Sequence, residues 1–416
     1  MWQVFKIVNL FYLLVSSYAW FSFLLPANYI PLGVSAVMLI LFVVSNFKMT
    51  FTPRFMLILA MISIYAIYTT LNLDIFAGVL TFFSYLPAAL IFTLDKEYQN
   101  DLLLSVSKWL SIILGISLGV FFLGKVVPLP HTSFVVPNND FYVPFENYFF
   151  YLNNPGFEAE DAGIFRFSAI FLEPGHLSMI CALMLFANRY QFKDRRWLWI
   201  PLLCVLISFS LTGYVILVLS LFLLKIRNVW SMIATVIVVG GAWLFVTEIW
   251  NEGNNPANIL IVQRLEPDKE KGIKGNNRVF KKTDSFYRQC VKDGRIWNGV
   301  GLKEMGDRIR GAGFKIFMLR YGAISTIFCG LIYLLLIDPK TNKRYAYSFL
   351  FIVVLLFLQR AYPTWYSWLF FYTVGIGVMR NEPFFTPYQL RKIQEKEARK
   401  RLHEHESTNR MRVQNG

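Results

Sequence analysis

The sequence predicts an all-α, polytopic membrane protein, and three observations carry that prediction. Hydrophobic residues make up 56% of the chain and charged residues only 16%, whereas a water-soluble globule carries roughly 25% charged. Apolar runs recur along most of the chain, each about 17–25 residues long, enough for a helix to cross a hydrocarbon core of roughly 30 Å. The runs are continuous rather than alternating, which excludes an outer-membrane barrel of segments about ten residues long.

These runs place about twelve helices, near 8–25, 30–46, 55–71, 75–94, 109–127, 168–188, 197–210, 213–225, 229–249, 313–336, 345–361 and 364–379. The first follows Lys6 and lacks a small-x-small cleavage site, so it reads as an uncleaved helix rather than a removed signal. Ser208 to Gly213 reads as a tight turn between two short spans. Residues 1–379 then form a single transmembrane domain, and 380–416 a basic tail, RKIQEKEARKRLHEHE, drawn toward anionic lipid. His403 and His405 stand beside glutamates in that tail and bind metal adventitiously at most.

Charge orients the helices. With the N-terminus inside, the inner connections are FKMTFTPR, LDKEYQNDLLLSVSKW, NRYQFKDRRW, KIRN and DPKTNKR, all carrying Lys or Arg. The short outer connections, 26–29, 72–74, 208–212 and 361–364, carry neither. This positive-inside pattern sets both termini in the cytoplasm. The net charge of +15 is therefore a matter of sidedness and not a nucleic-acid signal. Cys181, Cys204 and Cys329 lie in apolar runs and Cys290 in a polar loop, a spacing that suggests neither disulfide nor metal site.

Two long loops fall outside. The first, about 128–165, has no Lys or Arg and interleaves Tyr142, Phe145, Tyr148, Phe149 and Tyr151 with acids such as Asp140, Glu146, Glu158, Glu160 and Asp161. Its rings either pack on one another as an interfacial belt or line a binding surface. The second, about 250–311, holds Arg264, Arg278, Arg288, Arg295, Arg308 and Arg310. Nothing about insertion favours that many cations outside.

The stretch GIFRFSAIFLEPGHLSMICALMLFA carries the chemistry. Arg166, Glu173 and His176 stand where lipid would be solvent, and ionisable residues at such depth are functional by default. Pro174 fits a first helical turn, so the helix starts there and the residues before it dip in as a loop against protein or a water-filled cavity. Arg166 and Glu173 either pair to hold that loop or serve the cavity; Glu173 alternatively caps the helix.

At these residues the chain resembles a known family. RFSAIFLEP is similar to the R-x-S-G-x-F-x-E-P signature of bacterial O-antigen and capsular polysaccharide polymerases, with Ala169 in place of the usual glycine. LISFSLTGYVILVL resembles that family's Ser-x-Thr-Gly hairpin. GNNRVFKKTDSFYRQCVKDGRIWNGVGL resembles the arginine followed by G-x-G of the polymerase and O-antigen ligase superfamily, here Arg278 and Gly299-Val300-Gly301, and Leu319-Arg320-Tyr321-Gly322 fits as well. The topology of nearly the whole chain agrees, and the motifs cover about a fifth of it. The histidine that many ligases carry after the G-x-G is missing from RIRGAGFKIF, which argues for a polymerase.

The resemblance implies a glycosyltransferase that joins undecaprenyl diphosphate-linked oligosaccharides, donor and acceptor, on the outer membrane face. It implies a chain-length regulator and a flippase of the same pathway as partners, besides membrane lipid, and no nucleic acid. Charge builds on the leaving diphosphate, which arginine suits through its bidentate fork. Arg278 is the first candidate and Arg166 the second, with Arg264, Arg288 and Arg295 as substrate contacts beside Tyr142 and Tyr148. The acceptor hydroxyl must lose a proton, to Glu173 or His176. No motif implies a cofactor or a metal. An O-antigen-type ligase and a lipid-linked oligosaccharide flippase are the rival readings.

Overall fold

The computed structural model describes residues 1–26, 29–45, 47, 50–137, 144–154, 166–225, 233, 237, 240–241, 243–255, 257–268, 272–273, 281–306 and 313–381. Most of the expected helix near 229–249, and the tail from residue 382, lie outside them.

Helices form where the apolar runs are, with capping residues at several starts. They are α1 (Trp2–Ser16), α2 (Ile30–Val44), α3 (Pro53–Asn72), α4 (Ile75–Thr93), α5 (Lys96–Leu123), α6 (Pro174–Ala187), α7 (Trp199–Ile207) and α8 (Leu211–Lys225). After the second loop come α11 (Phe314–Leu335), α12 (Lys343–Gln359) and α13 (Tyr366–Val378); α9 (Lys281–Lys292) and α10 (Gly301–Met305) lie within that loop. Thr52, Asp74 and Asn342 each accept a bond from the backbone three residues on, closing the first turns of α3, α4 and α12. Among the described residues, α3, α4, α5 and α11 are long and apolar enough to cross a membrane.

Two helices differ from expectation, for identifiable reasons. α1 begins at Trp2 rather than near residue 8, because the buried Lys6 ammonium is 2.5 Å from the Asp101 carboxylate of α5. It stops at Ser16, where Tyr18 turns the chain at φ 60° into a short 3-10 helix, Trp20–Leu24. α5 begins at Lys96 rather than near 109, since Gln99, Leu102, Leu103, Val106, Ser107 and Leu110 bury one face at helical spacing while the charges stay on the other.

α6 and α13 form the centre. Every residue of both is buried, and α13 packs on α4, α5 and α6. α6 has 14 residues, so it rises roughly 21 Å, short of a bilayer's hydrocarbon thickness. The segment leading into it, residues 166–173, is irregular and largely buried.

The helix ends gather into two sets. One holds Lys6, Asp101, Arg54, Asp338 and Arg380: Arg54 donates to the Leu335 and Leu334 carbonyls at 2.7 and 3.0 Å, and Arg380 is 2.8 Å from Asp338. The other holds Tyr18, Asn72, Glu173, Asn298 and Arg360, with Asn72 donating to the Asn298 carbonyl at 2.5 Å.

Described parts of both long loops, the strands of the first and residues 281–306 of the second, pack beside the second set. The first forms a three-stranded antiparallel sheet, β1 (Thr132–Phe134), β2 (Phe145–Asn147) and β3 (Leu152–Asn153), in register Thr132–Asn147 and Glu146–Asn153. Phe134, Phe145 and Leu152 pack with Leu172 against Tyr18, Trp20 and Phe23. The second docks α9 and α10 on the start of α11, where Cys290, Ile296, Met305 and Leu319 make a small core.

Candidate functional site

The segment 166–173 is held from both sides. Leu152 N–H donates to the Ala169 carbonyl, and the Ser168 hydroxyl to the Leu152 carbonyl, each at 2.8 Å. Trp20 N–H donates to the Ile170 carbonyl at 2.9 Å, and Leu172 N–H to the Tyr18 carbonyl at 3.2 Å. Residues Phe167 to Leu172 are buried. An irregular segment at that depth needs its backbone groups satisfied, and the first loop and the turn after α1 satisfy them. Ala169 sits at φ 51°, the left-handed region that favours glycine.

This clasp delivers Glu173 to the start of α6. Glu173 occupies the N-cap position, yet its side chain makes no capping bond. Its carboxylate accepts instead from Arg360, Nη2 to Oε2 at 2.5 Å. Arg360 follows the last residue of α12 and is 7% exposed. A Cβ built on Gly175 would lie 2.7 Å from Arg360 Nη2, so the glycine keeps the guanidinium's place open.

His176 lies in the first turn of α6 and is 1% exposed. Its Nε2 is 3.7 Å from Glu173 Oε2, beyond a hydrogen bond. Around the imidazole stand Tyr18, Tyr362 and Trp365, with ring centroids at 5.6, 6.2 and 4.9 Å. Tyr362 and Trp365 stack on each other at 4.1 Å, 5° from parallel. Tyr18 lies within electrostatic reach of Glu173 and of Arg320 on α11. Arg320 in turn lies 4.9 Å from the Tyr321 ring. The site thus joins an acid, an imidazole, two arginines and three aromatic rings at one end of the bundle.

The remaining motif residues brace it. A Cβ on Gly213 would lie 2.5 Å from Ser178 Cβ, so the Thr-Gly pair lets α8 close on α6, and the Thr212 hydroxyl bonds Gln359 beside Arg360. Gly299 and Gly322 meet backbone to backbone at φ 79° and 90°: a Cβ on Gly322 would lie 2.4 Å from the Trp297 carbonyl oxygen. Val300 N–H then donates to the Leu319 carbonyl at 2.7 Å. The G-x-G is a docking joint that seats the second loop next to Arg320.

The predicted site residues divide. Glu173 and His176 come together, while Arg166 reaches the α7–α8 turn, donating to the Phe209 carbonyl at 3.1 Å. Arg288 is on the outer surface of α9, paired with Asp284 at 3.4 Å. Arg295 pairs with Asp293 at 3.1 Å and with Glu304. Tyr148 is engaged within the first loop, its hydroxyl donating to Glu146 at 3.0 Å and its ring stacked on Tyr151. Arg278 and Tyr142 lie outside the described residues, as does the Arg264 side chain.

Sequence reasoning missed Arg360, because it sat inside the span expected over 345–361. Yet a cation in an apolar run, followed by the aromatic AYPTWYSW, was a readable signal. Arg320 was visible only as part of a motif. Tyr18 carried no signal.

A mostly helical chain with four described helices fit to cross a membrane, and two fully buried ones at its centre, belongs to the class of helical membrane proteins. No protein-family profile matches the chain, and no curated protein or solved structure shows significant similarity to it.

Proposed function

We propose that this protein is a polymerase of lipid-linked polysaccharide repeat units. It joins undecaprenyl diphosphate-linked oligosaccharides on the outer face of the bacterial inner membrane, in O-antigen or capsule synthesis. The observation that supports the reading best is the cluster of Glu173, His176 and Arg360, with Arg320 near by, at the segment carrying the polymerase-like RFSAIFLEP. In this reading the chain crosses the membrane about twelve times, with both termini cytoplasmic and both long loops outside.

The chemistry follows from charge. A sugar–phosphate bond breaks, and the lipid diphosphate leaves with the charge. Preplaced guanidinium groups stabilise that charge most where water is excluded. Arg320 and Arg278 take this role, while Arg360, already bound to Glu173, positions the acid. The acceptor hydroxyl gives its proton to Glu173 or His176, which stand 3.7 Å apart, as its oxygen bonds to the donor sugar carbon. The aromatic rings cover the apolar sugar faces.

A flippase would set its cations along a path between helices. Here most of the outer arginines fall in the second long loop, which supports an enzyme over that rival. A ligase would use the same site on another acceptor.

The test is reconstitution of purified protein with a synthetic undecaprenyl diphosphate repeat unit and EDTA, comparing wild type with Glu173→Gln and Arg278→Ala. A ladder of products from wild type, lost in both folded variants, is the expected result. No ladder on the native substrate would reject the polymerase reading. A ladder from Glu173→Gln would remove this site from the mechanism.

A further inference from the structure

A second charged recess lies at the opposite end of the bundle, independent of the polymerase reading. A cavity of about 370 Å³ opens between α5 and the turn after α6, lined by Leu104, Ser105, Lys108, Gln191, Asp194, Arg195 and Trp197. Lys108 is exposed at its rim, and Arg195 is half-buried in its wall.

The turn that carries Arg195 is fixed in place. Arg189 and Tyr190 both stand at φ 53°, left-handed backbone that a non-glycine residue adopts at a cost. Asn188 ends α6 and holds the turn: its amide donates to the Ser107 hydroxyl of α5 at 3.0 Å, and its oxygen accepts from Arg195 Nη1 at 2.5 Å. A guanidinium has five N–H donors, and this is one bond. Burial, followed by the neighbouring Arg189 charge, holds Arg195 down to about 10; Asp194 and Tyr345 work the other way. Asp194 is the acid that faces the cavity, against the two cations Lys108 and Arg195. The Arg189 and Arg195 charges thus act on each other across one turn.

We propose that this recess binds a phosphate monoester or diester, gripped by Arg195 and Lys108, with Gln191 as a neutral hydrogen-bonding partner and Trp197 covering one side; the Ser105 hydroxyl in the wall is already donated to Asp101 at 3.3 Å. Two sources carry that group: the headgroup of an anionic membrane lipid, and free phosphate. Basic pockets between transmembrane helices on the cytoplasmic side suit the first, and the exposed Trp199 beside the recess suits an interfacial depth.

The test uses the full chain in neutral detergent, titrated with phosphatidylglycerol, with phosphatidylcholine and with inorganic phosphate, reading the unfolding temperature. Phosphatidylglycerol is expected to raise it in a saturable way and phosphatidylcholine to leave it unchanged. Lys108→Gln, an exposed change that spares the turn, should weaken the phosphatidylglycerol effect about fivefold in apparent affinity. Gln191→Glu, which sets a carboxylate in the recess, should weaken it more. A saturable rise with inorganic phosphate alone, equally sensitive to both variants and not exceeded by lipid, keeps the site and assigns it to the free anion. No saturable rise with either, or a rise that both variants retain in full, overturns the proposal.

Discussion

The two ends of the helix bundle both contain ion pairs shielded from solvent, and they use them differently. At the end that holds Asp101 and Asp338, the cations finish helices. Arg54 donates to the last carbonyls of α11, Arg380 to the Phe92 carbonyl near the end of α4, and Arg344 to the Leu223 carbonyl of α8. Helix C-termini leave carbonyls without partners and carry partial negative charge, so such bonds need no function to explain them. The other end is built around Arg360. It meets a carboxylate at the start of α6, among a histidine and aromatic rings that bring apolar faces and a titratable group to one spot. A shielded ion pair alone is therefore poor evidence of a site; what surrounds it decides.

The comparison breaks most sharply at Arg360. Arg360→Ala leaves the Glu173 carboxylate, only 18% exposed, without its guanidinium, and breaking such a pair costs about 3 kcal/mol or more. Glu173→Gln together with Arg360→Met removes both charges, and its unfolding midpoint should return most of the way to wild type. On the proposed polymerase reading, elongation should stay absent in that double variant. Recovered elongation would show that the pair only holds the loop, as the pairs at the other end hold helices. Arg380→Gln is the matched control: one cap and a pair with Asp338, whose carboxylate is just as shielded, are lost, at a similar cost of about 3 kcal/mol, and on the proposed polymerase reading chain length should not change. A shortened product from Arg380→Gln would erase the contrast between the two ends.

The joint under Arg320 sharpens the comparison further. Gly322→Ala would press a Cβ to 2.4 Å from the Trp297 carbonyl oxygen and hold alanine at φ 90°. Strain of this kind costs about 1–3 kcal/mol, and it should release the second loop, read as faster hydrogen exchange across α9. The loop also has an electrostatic latch. The Lys315 hydrogen bond and charge hold the Asp284 carboxyl below its usual range, with Arg288 adding to the effect and burial opposing it. A carboxylate lowered on folding contributes its stabilisation above its unfolded value and loses it as pH falls through the lower folded one. Protection of α9 should therefore persist at about pH 5 and fall in the region below about pH 4. Asp284→Asn should show the weaker protection already at neutral pH.

Much of this was legible beforehand, and the misses have physical causes. Apolar length located the helices, and Pro174 marked the start of α6 because proline is preorganised for a first turn. Glu173 and His176 were readable because a charge in an apolar run demands a partner. The partner itself was not, since Arg360 is 187 residues away in sequence and only packing joins them. The boundary of α1 failed for the same reason: Lys6 looked like a polar flank until Asp101 was set against it. The strands of the first loop were hidden by their shortness, two or three residues each.

The smallest effect concerns Ala169, the residue that stands where the resembling family has glycine. Its φ of 51° explains the glycine: left-handed backbone costs an L-residue about 1–2 kcal/mol. Ala169→Gly removes that strain but adds freedom to the unfolded chain, an opposing effect of about 0.4–1 kcal/mol. The net change should be a stabilisation of about 1 kcal/mol or less, with elongation intact. Ala169→Val should destabilise, because a β-branched side chain fits that backbone least and the position is fully buried. The pair of variants separates two accounts of the position. If both destabilise, the alanine methyl is needed as packing against the first loop; if only valine does, the backbone conformation is what the segment requires there.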